Sequence, residues 1–302
     1  MQDEINGVIV VNKHSGVTSF DIVFKIKKLF NTKKVGHTGT LDPMATGVLP
    51  ILVGRSAKAA EYLLEHDKEY RAQIQLGITT DTEDISGTVL TKSDTLPTKN
   101  DFFKVCESFV GEIDQVPPMY SALKVGGKKL VDLAREGIEI ERQARKIKIY
   151  SLKAEEVDEK RGVYTLLVRC SKGTYIRTLC ADIGKKLGCG ACMSALERTQ
   201  SGSFRIEDAY TISELEELSY QKRTELVMPP EKLFSDYPEI VLPDFYSRLC
   251  HSGCEIYQSK IKTSFDIGQM VRISDKDGFF ALGEVREYEN GSAIKALKMF
   301  KL

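Results

Sequence analysis

The chain has no apolar run long enough to cross a bilayer as a helix, so no membrane span is expected. Its opening residues, MQDEINGVIVVN, lack a basic segment ahead of an apolar core, so no secretory signal is expected either. There is no glycine-rich phosphate loop ending in GKS or GKT, which argues against P-loop nucleotide hydrolysis. No G-x-S-x-G elbow is present, which argues against a serine hydrolase of that type. Cysteines are few, odd in number at seven, and scattered, so reduced thiols in the cytoplasm are expected rather than a disulfide framework. A net charge is lacking too, with 43 basic and 43 acidic side chains. What is present is 302 residues, 42% of them hydrophobic, enough for two domains with cores of their own.

The balanced charge is unevenly placed. Lys25, Lys27, Lys28, Lys33 and Lys34 form one basic run, and Lys124, Lys128, Lys129, Arg135, Arg142, Arg145, Lys146 and Lys148 form another. Acids gather elsewhere, at Glu155, Glu156, Asp158 and Glu159 and again between Glu207 and Glu217. A chain divided this way can present one face to phosphates.

The stretch around which the rest is organised is GHTGTLDPMATGVLPILVG, from Gly36. It displays one carboxylate, Asp42, among glycines, threonines and prolines. Pro43 fixes its own φ and pushes Asp42 toward an extended conformation. Val48 to Val53 reads as a buried strand, so the acid is expected on a shaped loop at a sheet edge.

Around it, Gly7 to Val11 reads as a first buried strand and Lys13 to Thr18 as a turn. Ser19 is expected to cap a helix whose inner face carries Phe20, Val23, Ile26 and Phe30. Ala57 to Leu64 reads as a short helix. Lys68 to Leu76 alternates, with Tyr70, Ala72, Ile74 and Leu76 on one side, and predicts a half-buried strand. Asp81 to Asp84 falls in a loop. A helix with Phe102, Cys106, Phe109 and Val110 inward is expected, capped by Asn100 or Asp101 and stopped by Gly111. VPPMYSALKVGGKKLVDLAREG is an excursion outside the core with a short helix at Leu130 to Arg135, and Ile138 to Tyr150 returns as a strand. Gly162 to Cys170 predicts another strand, and Thr174 is expected to cap a helix from Tyr175 to Leu187 closed by Gly188. Arg177 then stands in a first turn, where a cation opposes the helix dipole; such a placement calls for an anion beside it. Past Pro229-Pro230, the hairpin signals Asp277-Gly278 and Asn290-Gly291 predict a small all-β module.

Two metal sites can be drawn from residue types. Cys189 and Cys192 with Cys250 and Cys254 have knuckle-like spacings but are far apart in the chain, and Asp81, Glu83 and Asp84 could hold Mg²⁺ with Asp42. Without a metal, the carboxylate serves as nucleophile or general base, and a nearby arginine keeps it ionised by lowering its pKa. Aromatics beside basic stripes suit an extruded, stacked base. These residues point to an enzyme acting on one nucleotide of an RNA. A non-catalytic RNA-binding or RNA-folding protein and a metal-dependent nuclease are the alternatives.

At three motifs the chain resembles bacterial tRNA pseudouridine synthases of the TruB type. GHTGTLDPMATG matches their catalytic motif, DKEYRAQIQLG from Asp67 the second, and SKGTYIRTL from Ser171 the third, within a likeness running from about Gly7 to Phe204. The resemblance implies isomerisation of the T-arm uridine at tRNA position 55, with no cofactor, no metal and no protein partner, by a cytoplasmic monomer. It makes Asp42 the catalytic aspartate, Tyr70 the ring that packs on the target base, and Arg177 the partner of the carboxylate. Asp84 becomes a second partner of that arginine and His37 a contact to the flipped nucleotide. Tyr175, Lys13 and Lys58 are expected beside them as substrate contacts. The implied fold is α+β, a mixed, largely antiparallel sheet flanked by helices. Residues 1–230 form the catalytic domain with a thumb at about 116–148, and residues 231–302 form a PUA-like RNA-binding domain. Two residues depart from the family pattern: His14 stands where proline is common, and Cys192 where histidine or tyrosine is common.

Overall fold

The computed structural model describes residues 5–63 and 67–301. Strand β1 (Gly7–Lys13) is covered on both faces, Ile9 and Val11 joining one apolar cluster and Val8 and Val10 another. A strand covered twice has no polar side, which is why GVIVV does not alternate. Helix α1 (Ser19–Leu29) is capped by Thr18 rather than Ser19. The Thr18 hydroxyl accepts from the Asp21 N–H, and the Asp21 carboxylate accepts from the Thr18 N–H in return. The expected inner face is corrected accordingly. Ile22, Val23, Ile26 and Phe30 are buried, whereas Phe20 is 68% exposed and Phe24 53%, with Lys28 4.7 Å over the Phe24 ring.

Strands β2 (Val35–His37) and β3 (Thr46–Val53) bracket the central loop. A 3-10 turn at Gly54–Ala59 leads into α2 (Ala60–Leu63), so the expected helix starts earlier and tighter than drawn, and Leu64 lies outside the described residues. Strand β4 (Lys68–Leu76) has the expected bounds, with Ala72, Ile74 and Leu76 buried and Arg71 exposed. The hairpin β5 (Ile78–Thr80) and β6 (Val89–Lys92) carries the Asp81–Asp84 turn between its strands. Helix α3 (Lys99–Glu107) is capped by Thr98, not Asn100 or Asp101; it buries Phe102 and Cys106 and leaves Val110 exposed. Strand β7 (Gly111–Gln115) follows.

The excursion holds a two-stranded hairpin, β8 (Lys124–Val125) and β9 (Lys128–Lys129), then α4 (Leu130–Arg135), packed on a small cluster of Met119, Leu130 and Leu133. The returning strand β10 (Arg145–Asp158) begins at Arg145, not Ile138. Before it, Arg142 donates to the Pro117 carbonyl and pairs with Glu139, tying this stretch to the excursion instead of the sheet. Strand β11 (Val163–Cys170) leads to helix α5 (Ile176–Leu187), which ends on left-handed Gly188. Its N-cap is Tyr175, since the Thr174 hydroxyl donates to the Ser171 carbonyl. Then come β12 (Ala191–Ser201), β13 (Phe204–Arg205), α6 (Ile212–Glu217) and α7 (Tyr220–Glu225).

These strands form a nine-stranded sheet ordered β1-β3-β12-β4-β11-β10-β7, with β2 on β3 and β13 on β12. Only the short β3–β12 pairing is parallel, so the mixed, largely antiparallel sheet is as expected. Helices α1, α3 and α5 bury their apolar stripes on one face, against Leu49, Ile74, Leu166 and their neighbours.

The C-terminal region comprises β14 (Glu239–Val241), α8 (Asp244–His251), β15 (Ile256–Tyr257), α9 (Gln258–Ile261), β16 (Met270–Asp275), β17 (Gly278–Tyr288) and β18 (Gly291–Met299). Both hairpin signals sit at turns, β16 to β17 and β17 to β18, but the module is not all-β, because α8 and α9 pack on its five-stranded sheet. Phe279, Leu282 and Phe300 of this region share a cluster with Val8, Val10, Val48 and Leu52 of the first sheet, so it leans on that sheet's second face. No described helix is long and apolar enough to cross a membrane.

Candidate active site

The loop between β2 and β3 is fastened at several points, and Asp42 stands among them. Its neighbours Leu41 and Ala45 are buried, and the Ala45 N–H donates to the Asp42 carbonyl at 3.0 Å. Ser19, displaced from capping, donates to the Leu41 carbonyl and accepts from the Leu41 N–H. From the end of β1, Lys13 spends its ammonium on the carbonyls of His14, Val17 and Pro43 at 3.0, 2.8 and 3.2 Å. It has no exposed surface, and burial lowers its pKa to about 8. Lys13 is therefore a fastening of the Asp42 loop. Gly47 closes the loop at φ +102°, and a Cβ there would meet the Arg198 carbonyl oxygen at 2.3 Å.

Arg177 enters from the first turn of α5. Gln115 on β7 fixes that helix start by donating to the Tyr175 carbonyl and accepting from the Tyr175 N–H. The Arg177 side chain is 6% exposed, and its Nε lies 2.9 Å from Asp42 Oδ2. Nη2 is 3.5 Å from Asp42 Oδ1 and donates to the Tyr120 carbonyl at 2.8 Å, while Nη1 donates to the Thr82 carbonyl at 3.0 Å. Asp84 Oδ2 lies 3.8 Å from Nη1. The anion demanded by a cation at a helix start is thus supplied twice. A planar guanidinium is suited to this, because its fork reaches two oxygens of one carboxylate while its other donors hold neighbouring backbone.

The carboxylates drawn above as a metal site have other partners. Asp84 Oδ1 accepts from the Thr82 hydroxyl and from the N–H and hydroxyl of Ser86. Glu83, in left-handed backbone at φ 63°, accepts from Thr178 on α5, and Asp81 accepts from the Thr88 N–H. Among the described residues no group of three or more His, Cys, Asp or Glu is placed to hold a metal ion. All seven cysteines are free thiols, and burial pushes those of Cys106 and Cys170 up to about 12.

Burial raises the pKa of Asp42 above its ordinary value, and Arg177 offsets this only in part. The expected net lowering by the arginine is therefore corrected: desolvation wins. An anion that acts in the reaction is lost by protonation as pH falls, and here the loss begins at a higher pH than for an ordinary aspartate. The acid limb of a single-turnover pH–rate profile is expected to have its midpoint above 3.8; a limb at or below that value contradicts the dominance of desolvation over Arg177 at Asp42.

Tyr70 is half-buried on β4, opposite Val168 on one side and Arg198 on the other. Burial raises its pKa, and Arg198 acts the other way. His37 ends β2 with Nδ1 buried and unpartnered; burial, then the charge of Arg198, hold its pKa below the ordinary histidine value. Tyr175 is half-buried at the start of α5, with its pKa raised by burial. Lys58 is exposed on the 3-10 turn and stands outside this cluster. Two cavities, of about 370 and 610 Å³, are lined by other residues, and the Asp42 side chain keeps 36% of its exposure.

Arg198 was not singled out from sequence. A signal existed: Arg198 stands two residues after buried Leu196, on the same side of β12.

A family model of the TruB family pseudouridylate synthase N-terminal domain matches residues 27–176, and one of the tRNA pseudouridylate synthase B C-terminal domain matches residues 177–235. A protein of Clostridium tetani named tRNA pseudouridine synthase B is 45% identical over 93% of this chain and 96% of its own length. One of the same name from Francisella philomiragia is 46% identical over 96% and 93%. Among solved structures, a Cbf5-Nop10-Gar1 complex contains a chain similar at TM-score 0.73 and 27% identity, over 98% of this chain and 85% of that one. An H/ACA RNP bound to a substrate RNA containing 2'-deoxyuridine gives 0.72 and 26%, over 98% and 85%.

Proposed function

The chain belongs to the TruB family of pseudouridylate synthases, and we propose that it isomerises the T-arm uridine of tRNA with Asp42 as the acting carboxylate. It is an isomerase that converts uridine to pseudouridine in tRNA, as its relatives' names state of them. The observation that carries the residue assignment is the forked contact of buried Arg177 on Asp42, with Asp84 behind it.

Isomerisation breaks N1–C1′, turns the freed uracil, and joins C5 to C1′. The proton on C5 leaves and N1 gains one, so no external atom and no electron is consumed. The protein must therefore extrude the base, hold it while unattached, and move charge at one carbon. Extrusion by unstacking costs roughly a few kcal/mol. Phosphate contacts from the basic runs on α1 and in 116–148 offset it and make binding salt-dependent. Asp42, oriented by Arg177, starts the cleavage. Tyr70 stacks on the uracil, and His37, whose charged form burial disfavours, packs beside the vacated position. The open side of Asp42 is closed by the RNA and by segment 116–148, whose Tyr120 carbonyl already rests on Arg177. Residues 1–230 act as the catalytic domain and 231–302 as a PUA-like RNA-binding domain, in a cytoplasmic monomer.

The test is incubation with unmodified tRNA followed by mapping of pseudouridine. One modified position, in the T-arm loop, is expected, with turnover unchanged in EDTA. Modification elsewhere overturns the T-arm assignment; EDTA inactivation reversed by Mg²⁺ or Zn²⁺, or strand cleavage, favours metal chemistry. Tyr70→Phe keeps the ring and removes the hydroxyl. It is expected to slow single turnover by about 10–100-fold with tRNA affinity little changed; a wild-type rate would confine Tyr70 to stacking.

A further inference from the structure

Arg198 is one of the largest fully buried side chains, at 1% exposure. Arginine is rarely buried unless paired with a carboxylate. Here Nε donates to the Val48 carbonyl at 2.7 Å and Nη2 to the Gly39 carbonyl at 3.2 Å, both oxygens without formal charge, and the guanidinium's charge acts on the Tyr70 phenol to lower its pKa against the burial that raises it. Gly39 precedes Asp42 and Val48 follows it, so one planar group spans both limbs of the loop that displays the carboxylate. On β4 the residue facing Arg198 across the sheet is Tyr70. The core alone does not require this, because an apolar side chain would pack between β3 and β4 without burying a charge.

We propose that Arg198 is a positioning residue for the reaction: it holds the two limbs of the Asp42 loop and the Tyr70 phenol in one fixed relation, so that the carboxylate and the ring meet the same nucleoside. The inference rests on reading Asp42 and Tyr70 as the groups that meet substrate.

Arg198→Lys keeps a cation but replaces the planar fork, which spreads its donors over both limbs of the loop, with a compact ammonium. It is expected to lower kcat at least about 10-fold while KM for tRNA changes less than about twofold. Arg198→Met removes the charge as well and is expected to lower kcat by about 100-fold or more. A general loosening of the fold would not separate kcat from KM in this way, and melting temperatures measured alongside report it directly.

The second readout is the titration of Tyr70, followed by NMR with ¹³Cζ-labelled tyrosine and assigned by its absence in Tyr70→Phe. The groups whose charge acts on the phenol are Arg198, opposite it on β12, Cys170 from β11 and Asp42 from the loop. Arg198 lowers the midpoint and the other two raise it, so the midpoint moves up in Arg198→Met and little in Arg198→Lys. If Arg198→Met does not fold, the cycle of Arg198→Lys with Tyr70→Phe decides: the two losses should combine to less than their product. A loss appearing in KM alone, an unmoved Tyr70 midpoint in folded Arg198→Met, or multiplicative losses in the cycle overturn the proposal. Asp42→Asn is assayed in parallel. If it is active, the site reading fails; if it is inert and Arg198→Lys turns over normally, only the role of Arg198 fails.

Discussion

Asp42→Asn is expected to lower the rate of pseudouridine formation by about 10⁴-fold or more while leaving tRNA affinity within about twofold. The substitution is nearly isosteric. The amide oxygen still accepts from Arg177, and the flanking fastenings at Leu41 and Ala45 involve no atom that changes. Only the negative charge disappears, and with it the ability to form a bond or take a proton at the sugar or the base. Affinity is expected to persist because most of it comes from phosphate contacts spread over basic surfaces, not from this carboxylate. Single-turnover assays give the rate and filter binding gives the affinity. A rate within tenfold of the native enzyme would remove Asp42 from the chemistry.

The second large effect is at Arg177. Arg177→Met leaves Asp42 and Asp84 without their shared cation and leaves the Thr82 and Tyr120 carbonyls unpaired. With Asp84 the pair is buried on both sides, and removing one member of such a pair costs about 3–5 kcal/mol, to be read from urea unfolding, whereas solvent at the open side of Asp42 reduces its share. Activity is expected to fall about 10²–10³-fold even where the protein remains folded. Arg177→Lys separates charge from shape, since an ammonium cannot grip both Asp42 oxygens and hold two carbonyls at once. It is expected to recover stability more than rate. The pH profile has a defined sign. Arg177 is the largest influence opposing the burial that raises the Asp42 pKa, so its removal in Arg177→Met should move the acid limb to higher pH. An acid limb that stays in place would show that the two groups are not coupled in the working enzyme.

Local structure was legible where one short-range pattern had no competitor. β4 has the bounds that its alternation implies, α4 those of its apolar spacing, and both C-terminal hairpins turn where Asp-Gly and Asn-Gly stand. Expectations missed where neighbouring residues competed for one role. Thr18 and Ser19 are both good caps, and the winner was set by the reciprocal bond to Asp21. That choice turned Phe20 outward and freed Ser19 to hold Leu41. The same competition placed the α3 cap at Thr98. β10 starts late because Arg142 is held by Pro117 and Glu139, contacts that depend on where the excursion folds back.

The family motifs and periodicities determined the sheet-with-helices architecture and the hairpin-rich C-terminal region and singled out the side chains proposed to carry the chemistry, because those depend on residue type and near neighbours. Tertiary structure decided the rest. It fastened Lys13 to the Asp42 loop, left Asp42 partly open, and placed an arginine from β12 behind the loop and opposite Tyr70. The physical reason is that burial and hydrogen-bond partnership belong to positions in space. Residues distant along the chain share one desolvated site only after the sheet has assembled, and only then is it settled which charges must be neutralised and by which oxygens.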